Sequence, residues 1–259
     1  MESKDLGFAQ QKLAARRFTV NGLNLYLRYG GEEDTGRLPL ILIHGLSVSG
    51  RYMTPTARRL AAHFPVYVPD LPGFGRSQKP DHVFNITELA HFVADLIEAL
   101  ELEQVALLGN SFGCEIITTL AVHRPQRLAR AILVAPTADP RGRHVIYMLA
   151  KGMRTLVREP FSLWPILVRD YLAAGPRRTV RTFFYILQDP IEDRLPHVRV
   201  PTLVVSGAHD PIVPRRWAEE ATRLLPQGRL VIVEEGAHAV NYDAPDRLAH
   251  LVCDFLSAP

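Results

Sequence analysis

The stretch Val105-Ala106-Leu107-Leu108-Gly109-Asn110-Ser111-Phe112-Gly113-Cys114-Glu115, continuing in a helical pattern to His123, decides the fold. Four apolar residues in a row read as a buried strand, and the Gly-x-Ser-x-Gly after them reads as a sharp turn into a helix. A serine on so tight a turn adopts a strained backbone. The flanking Gly109 and Gly113 remove the Cβ atoms that would clash. The helix that begins there aims its first N–H groups at any negative charge near the serine. Ser111 is therefore the candidate nucleophile.

Working outward, the same unit recurs. Short apolar runs stand at Leu40–Ile43, Val66–Val68, Ala131–Val134, Leu203–Val205 and Leu230–Val233. Each is apolar on both faces, as parallel strands covered by helices should be. Between them lie helical patterns: one after Thr87 as N-cap with Leu89, Val93, Leu96, Ile97 and Leu100 on one face, then Arg215–Leu225 and Asp246–Phe255. Upstream, Arg17–Tyr29 alternates around Asn21-Gly22, a hairpin signal. The fold class predicted is α/β, a mostly parallel sheet with helices on both faces and an antiparallel start.

Residues 137–194 break the rhythm. They are rich in arginine, aromatics and proline, with helices expected at His144–Val157 and Thr179–Leu187. So long a stretch without strands is read as a helical cap or lid inserted into a core made of residues 1–136 and 195–259.

A serine hydroxyl needs a base, and the base needs an orienting acid. Gly207-Ala208-His209-Asp210-Pro211 follows one apolar run and supplies Asp210. Gly236-Ala237-His238 follows the next and supplies His238. The order Ser, Asp, His, each after a strand, is the order this strand–turn–serine arrangement requires. His44-Gly45-Leu46 follows Leu40–Ile43, so the Leu46 and Phe112 backbone N–H groups are the candidate oxyanion donors. His44 is read as a support for its loop, and Asp70, in Pro69-Asp70-Leu71-Pro72-Gly73, as a turn brace.

Composition sets the bounds. The 259 residues are 47% hydrophobic and 22% charged, which excludes wholesale disorder. No apolar run is long enough to span a membrane, and the opening MESKDLGFAQQKLAARR lacks the apolar core of a secretory signal. Cys114 and Cys253 are too few for a disulfide framework, so a cytoplasmic location is expected. The formal net charge is +3. Residues 141–199 hold eleven arginines and lysines against five acids, a balance of +6. No nucleic-acid module accompanies them, so they read as solvated helix faces or, alternatively, as a preference for carboxylated substrates. No metal or organic cofactor is expected. Trp164, Phe183 and Phe184, with Tyr147, Phe161, Tyr171 and Tyr185, either line an apolar substrate pocket or form the cap's own small core.

These motifs together resemble the α/β-hydrolase superfamily. The resemblance runs from about Phe18 to the C-terminus and rests on His44-Gly45, Asp70–Ser77, Gly109–Gly113, Gly207–Pro214 and Gly236–His238. It implies a cap after the sixth strand and a Ser111–His238–Asp210 triad that forms an acyl-enzyme. Epoxide hydrolases and haloalkane dehalogenases have aspartate where this chain has Ser111. Proline iminopeptidases carry Gly-Gly-Pro-Gly where Gly45-Leu46-Ser47 stands. Hydrolases of carbon–carbon bonds in ring-cleavage products share the Gly-Asn-Ser elbow, but their glycine-rich oxyanion loop is absent and Ala239 replaces their usual aromatic. The activity implied is carboxylic-ester hydrolysis on a small molecule. The alternatives are carbon–carbon hydrolysis, lactonase or thioesterase activity, and two non-enzymes, a hydrolase-fold receptor or a scaffold whose cap docks a partner. Substrate identity, stereoselectivity and oligomeric state are left open.

Overall fold

The computed structural model describes residues 10–32, 36–137 and 139–258, so the expectation about the opening residues falls largely outside them. The described residues build one eight-stranded sheet. Its strands are β1 (Ala14–Val20), β2 (Leu23–Gly30), β3 (Leu40–Ile43), β4 (Val66–Pro69), β5 (Val105–Asn110), β6 (Leu128–Val134), β7 (Thr202–Gly207) and β8 (Gly228–Val233). They lie in the order β1-β2-β4-β3-β5-β6-β7-β8. β2 pairs antiparallel with β1 and β4, and every other pair is parallel. Asn21 and Gly22 both have positive φ, the requirement of the tight turn that joins β1 to β2.

Among the described residues ten α-helices accompany the sheet: α1 (Thr54–Leu60), α2 (Ile86–Ala99), α3 (Phe112–His123), α4 (Val145–Arg158), α5 (Trp164–Ala174), α6 (Pro176–Gln188), α7 (Ile191–Arg194), α8 (Arg215–Leu224), α9 (Val240–Asp243) and α10 (Pro245–Ser257). The two-residue period of a strand divides the core. Ile41 and Ile43 of β3 face one apolar cluster with Val93 of α2, Ile117 of α3 and Trp217 of α8. Leu40 and Leu42 face the other, with Leu60 of α1 and Val252 of α10. Both faces of β3–β7 are covered. The outermost β8 is not: its residues are half-buried or exposed except Val233, because it pairs only with β7.

Helix α2 starts before the expected Thr87. Asn85 is its N-cap, accepting the Glu88 N–H at 2.9 Å, while Glu88 accepts the Asn85 N–H at 2.7 Å. This reciprocal pair satisfies two N–H groups and outcompetes a lone threonine. Between β6 and β7 the described residues are helical, without strands. Two of the helices match expectation. α5 and the short α7 go beyond it; at α5, Pro165 reads as a break in the sequence. Within the first turn a proline is tolerated, since its missing N–H would have no partner there.

These intervening helices bury little of themselves. Met148, Lys151 and Thr155 are the buried residues of α4, and Asp170 and Ala174 those of α5. They are tied down by polar contacts to loops at the ends of the strands. Asp170 accepts from Ser49 Oγ at 2.6 Å, Ser47 Oγ donates to Thr179 at 2.9 Å, and Lys151 Nζ donates to the Ile212 carbonyl at 3.0 Å.

Candidate active site

β5 delivers Ser111 to the start of α3. All six β5 residues are buried, and the Ser111 N–H extends the ladder by donating to the Val134 carbonyl at 2.9 Å. The chain then reverses within one residue, with Ser111 at φ 55° and ψ −119°. That is a costly conformation for a residue with a Cβ. The flanking glycines permit it. An ideal Cβ on Gly109 would lie 2.6 Å from the Gly113 carbonyl carbon, and one on Gly113 would lie 2.5 Å from the Ile43 carbonyl oxygen. Phe112 is the first residue of α3, so its N–H has no partner within the helix.

β7 and β8 bring the acid and the histidine together. Asp210 Oδ1 accepts the N–H groups of Ile212 and Val213 at 2.7 and 3.1 Å, and its Oδ2 lies 2.8 Å from His238 Nδ1. A carboxylate at Nδ1 calls for the proton there, which leaves the Nε2 lone pair free to accept one. Burial pulls the His238 pKa down, but the charge and hydrogen bond of Asp210 outweigh it, with Glu159 and Asp243 adding to them. The net pKa is above the ordinary value. The elbow is linked directly to this loop: Asn110, beside Ser111, donates through Nδ2 to the His238 carbonyl at 3.0 Å. Its Oδ1 accepts the hydroxyl of buried Tyr52.

The loop after β3 holds Leu46 half-buried against the core, and Ser47 follows with φ 54°. His44 lies wholly inside the protein. Its Nε2 accepts the Leu71 N–H at 3.0 Å, so its proton is on Nδ1 and donated to the Gly45 carbonyl at 2.9 Å. With both nitrogens engaged and burial lowering its pKa, His44 is a neutral brace between two loops. Asp70 is likewise structural. It accepts from Arg28 at 2.6 Å, the Gly50 N–H at 2.8 Å and the Arg76 N–H at 2.9 Å.

Two acids near His238 escaped the sequence reading. Glu159, directly after α4, accepts the Ala239 N–H through Oε1 at 3.0 Å, while its Oε2 is buried without a partner. Burial raises its pKa to about 7. Asp243 accepts the Ala237 N–H at 2.7 Å, and burial raises its pKa as well. Neither stands in a motif; each becomes visible once the chain folds around His238.

The aromatic candidates are not gathered at Ser111. Trp164 lines a shallow concavity of about 700 Å³ with Phe161, Pro165, Val168, Arg169 and Leu172. Phe184 lines a second with Pro176, Arg177, Val180 and Arg181. Neither lining includes Ser111, Asp210 or His238. Phe183 is half-buried, its ring 6.1 Å from that of Phe184. Tyr147, Phe161, Trp164, Tyr171 and Phe184 are all exposed, so these five do not form a core of the helical segment. Among the described residues, no group of three or more His, Cys, Asp or Glu side chains is arranged to hold a metal ion.

The model of the alpha/beta hydrolase family matches residues 40–251, and the chain belongs to that family. A relative from Rhizobium rhizogenes, named "Putative carbamate hydrolase RutD", is 29% identical over 85% of this chain and 92% of its own. The structure is similar to that of a bacterial membrane phospholipase A, with a TM-score of 0.80 and 24% identity over 94% of this chain and 86% of the other. It is also similar to a thermophilic esterase from Thermogutta terrifontis, with a TM-score of 0.77 and 23% identity over 94% and 98% of the two chains.

Proposed function

We propose that this protein is a serine hydrolase that cleaves small carboxylic esters through Ser111, His238 and Asp210. The observation that carries the reading is the 2.8 Å Asp210–His238 bond on a loop that Asn110 links to the strained serine turn. Ser111 Oγ attacks the ester carbonyl carbon while His238 Nε2 takes the hydroxyl proton. The carbonyl electron pair moves onto oxygen, where the N–H groups of Leu46 and Phe112 hold the negative charge. As the carbonyl re-forms, the bond to the alcohol oxygen breaks and His238 returns the proton to that leaving group. Water then attacks the acyl-enzyme in the same sequence, which releases the acid and frees Ser111. Asp210 stays ionised and stabilises the imidazolium. Each oxyanion donor contributes about 3–4 kcal/mol to the transition state. Residues 137–194 serve as the cap, a reading supported by their ties to Ser47, Ser49 and the residue after His238.

The test is hydrolysis of p-nitrophenyl esters from acetate to palmitate by wild type and Ser111→Ala. Turnover of the short esters is expected, with kcat/KM falling by about 10⁴-fold or more in the variant. Labelling by a fluorophosphonate without ester turnover would redirect the same machinery to lactones, thioesters, carbamates or carbon–carbon bonds. An unlabelled Ser111 would leave a binding protein.

A further inference from the structure

Every large apolar side chain that the described residues expose belongs to one stretch, Val145–Phe184. Ile146 and Val157 are each 83% exposed, Phe161 87% and Leu172 78%, so they stand clear of the surface rather than filling grooves. On α5, Trp164, Val168 and Leu172 repeat every four residues and form one row. Trp164 Nε1 donates to the Leu156 carbonyl at 3.2 Å, which joins this row to the end of α4, and α6 packs against α5.

The charges on this face are of one sign. From Pro140 to Gln188 the acids are Glu159 and Asp170. Both are buried and turned inward, Glu159 to the Ala239 N–H and Asp170 to Ser49. Outward stand Arg154, Arg158, Arg169, Arg177 and Arg181. A face that combines protruding aliphatic and aromatic side chains with arginines, and has no exposed acid, fits an interface between water and anionic headgroups. A second copy of the chain would set arginine against arginine. A bilayer also receives isolated protruding side chains without needing shape complementarity, and these rows sit on shallow concavities rather than in a deep groove.

We infer that the exposed faces of α4, α5 and α6 dock this protein peripherally on an anionic phospholipid bilayer. The apolar rows enter the headgroup boundary, and the arginines pair with lipid phosphates. No helix among the described residues is long and apolar enough to cross a membrane. The inference does not depend on the proposed chemistry.

Vesicle flotation tests it with the whole chain. Wild type is expected to float with phosphatidylcholine vesicles containing about one third phosphatidylglycerol, not with pure phosphatidylcholine, and to be released as salt screens the charges. Phe161→Asp and Leu172→Asp, both at exposed positions, should each weaken binding at least about tenfold, because the apolar contact is replaced by a repelled charge. Arg177→Ser with Arg181→Ser should weaken it about fivefold per arginine. Trp164 gives a readout that needs no stability-sensitive variant. Its emission should shift to the blue on mixed vesicles, and Trp164→Phe should abolish the shift, because Trp217 is fully buried and does not meet the bilayer. Absence of flotation on mixed vesicles overturns the inference. So does flotation unchanged in both aspartate variants. Concentration-dependent dimerisation of lipid-free protein that protects residues 161–172 from hydrogen exchange would assign the face to a second copy instead.

Discussion

Ser111 stores strain where the chemistry is proposed. Its φ of 55° is one that glycine adopts freely and serine does not, at a cost of about 1–3 kcal/mol. Ser111→Gly should therefore abolish hydrolysis yet raise the melting temperature by about 2–4 °C, as expected for about 1 kcal/mol in a chain of this size. A melting temperature that falls would mean that the serine side chain's own contacts outweigh the strain. Asp70 makes the opposite case. Its buried carboxylate ties Arg28 of β2 to the turn after β3 and to Arg76, so Asp70→Ala strands a guanidinium and two N–H groups. Removing one partner of a buried pair costs about 3–5 kcal/mol, which urea denaturation would register as a lower midpoint. Both residues were visible in the sequence as parts of motifs. The φ and the identity of the partners were not, because backbone angles and long-range contacts have no local signature.

At the scale of elements, the link between α4 and the loop after β8 makes stability depend on pH. Glu159 titrates near 7 in the folded protein against an ordinary value of 4.5, so the folded state holds a proton that the unfolded state releases. The contribution of Glu159 to stability is then fully present below about pH 4.5 and is lost, by about 3 kcal/mol, as pH rises through 7. His238 acts in the same sense: its raised folded pKa gives stability that is present below its ordinary 6.5 and lost above its folded value. Glu159→Gln keeps an oxygen for the Ala239 N–H but cannot ionise. Chemical denaturation across pH should show a flatter profile, with a stability gain at pH 8. The same variant removes a negative neighbour of His238, so the acid limb of kcat/KM should move to lower pH. An unmoved limb with altered stability would make Glu159 a structural tie only. The helix that ends just before Glu159 was legible from its periodicity, whereas the approach of Glu159 to His238 required α4 to lie across the strand ends.

In the whole molecule, stability is distributed unevenly. β3, β5 and β7 are buried at every residue, while α4 and α5 present most of theirs to solvent. Hydrogen exchange should be slowest in those strands and faster by orders of magnitude in α4–α6. Equal protection throughout would contradict this division. The sequence by itself determined the alternation of strand and helix, the serine turn, and the order in which serine, aspartate and histidine follow the strands. These are carried by local periodicity and by the few residue types that sharp turns admit. It led to expecting β8 to be covered on both faces and the aromatics of residues 137–194 to be gathered inward. Only the tertiary structure decided otherwise, because apolar character says that a side chain gains by leaving water but not which surface will receive it. Edge position left β8 half-covered. Packing only a few residues of each helix onto the core left Phe161, Trp164 and Leu172 outside, because burial is settled by where neighbouring elements run out.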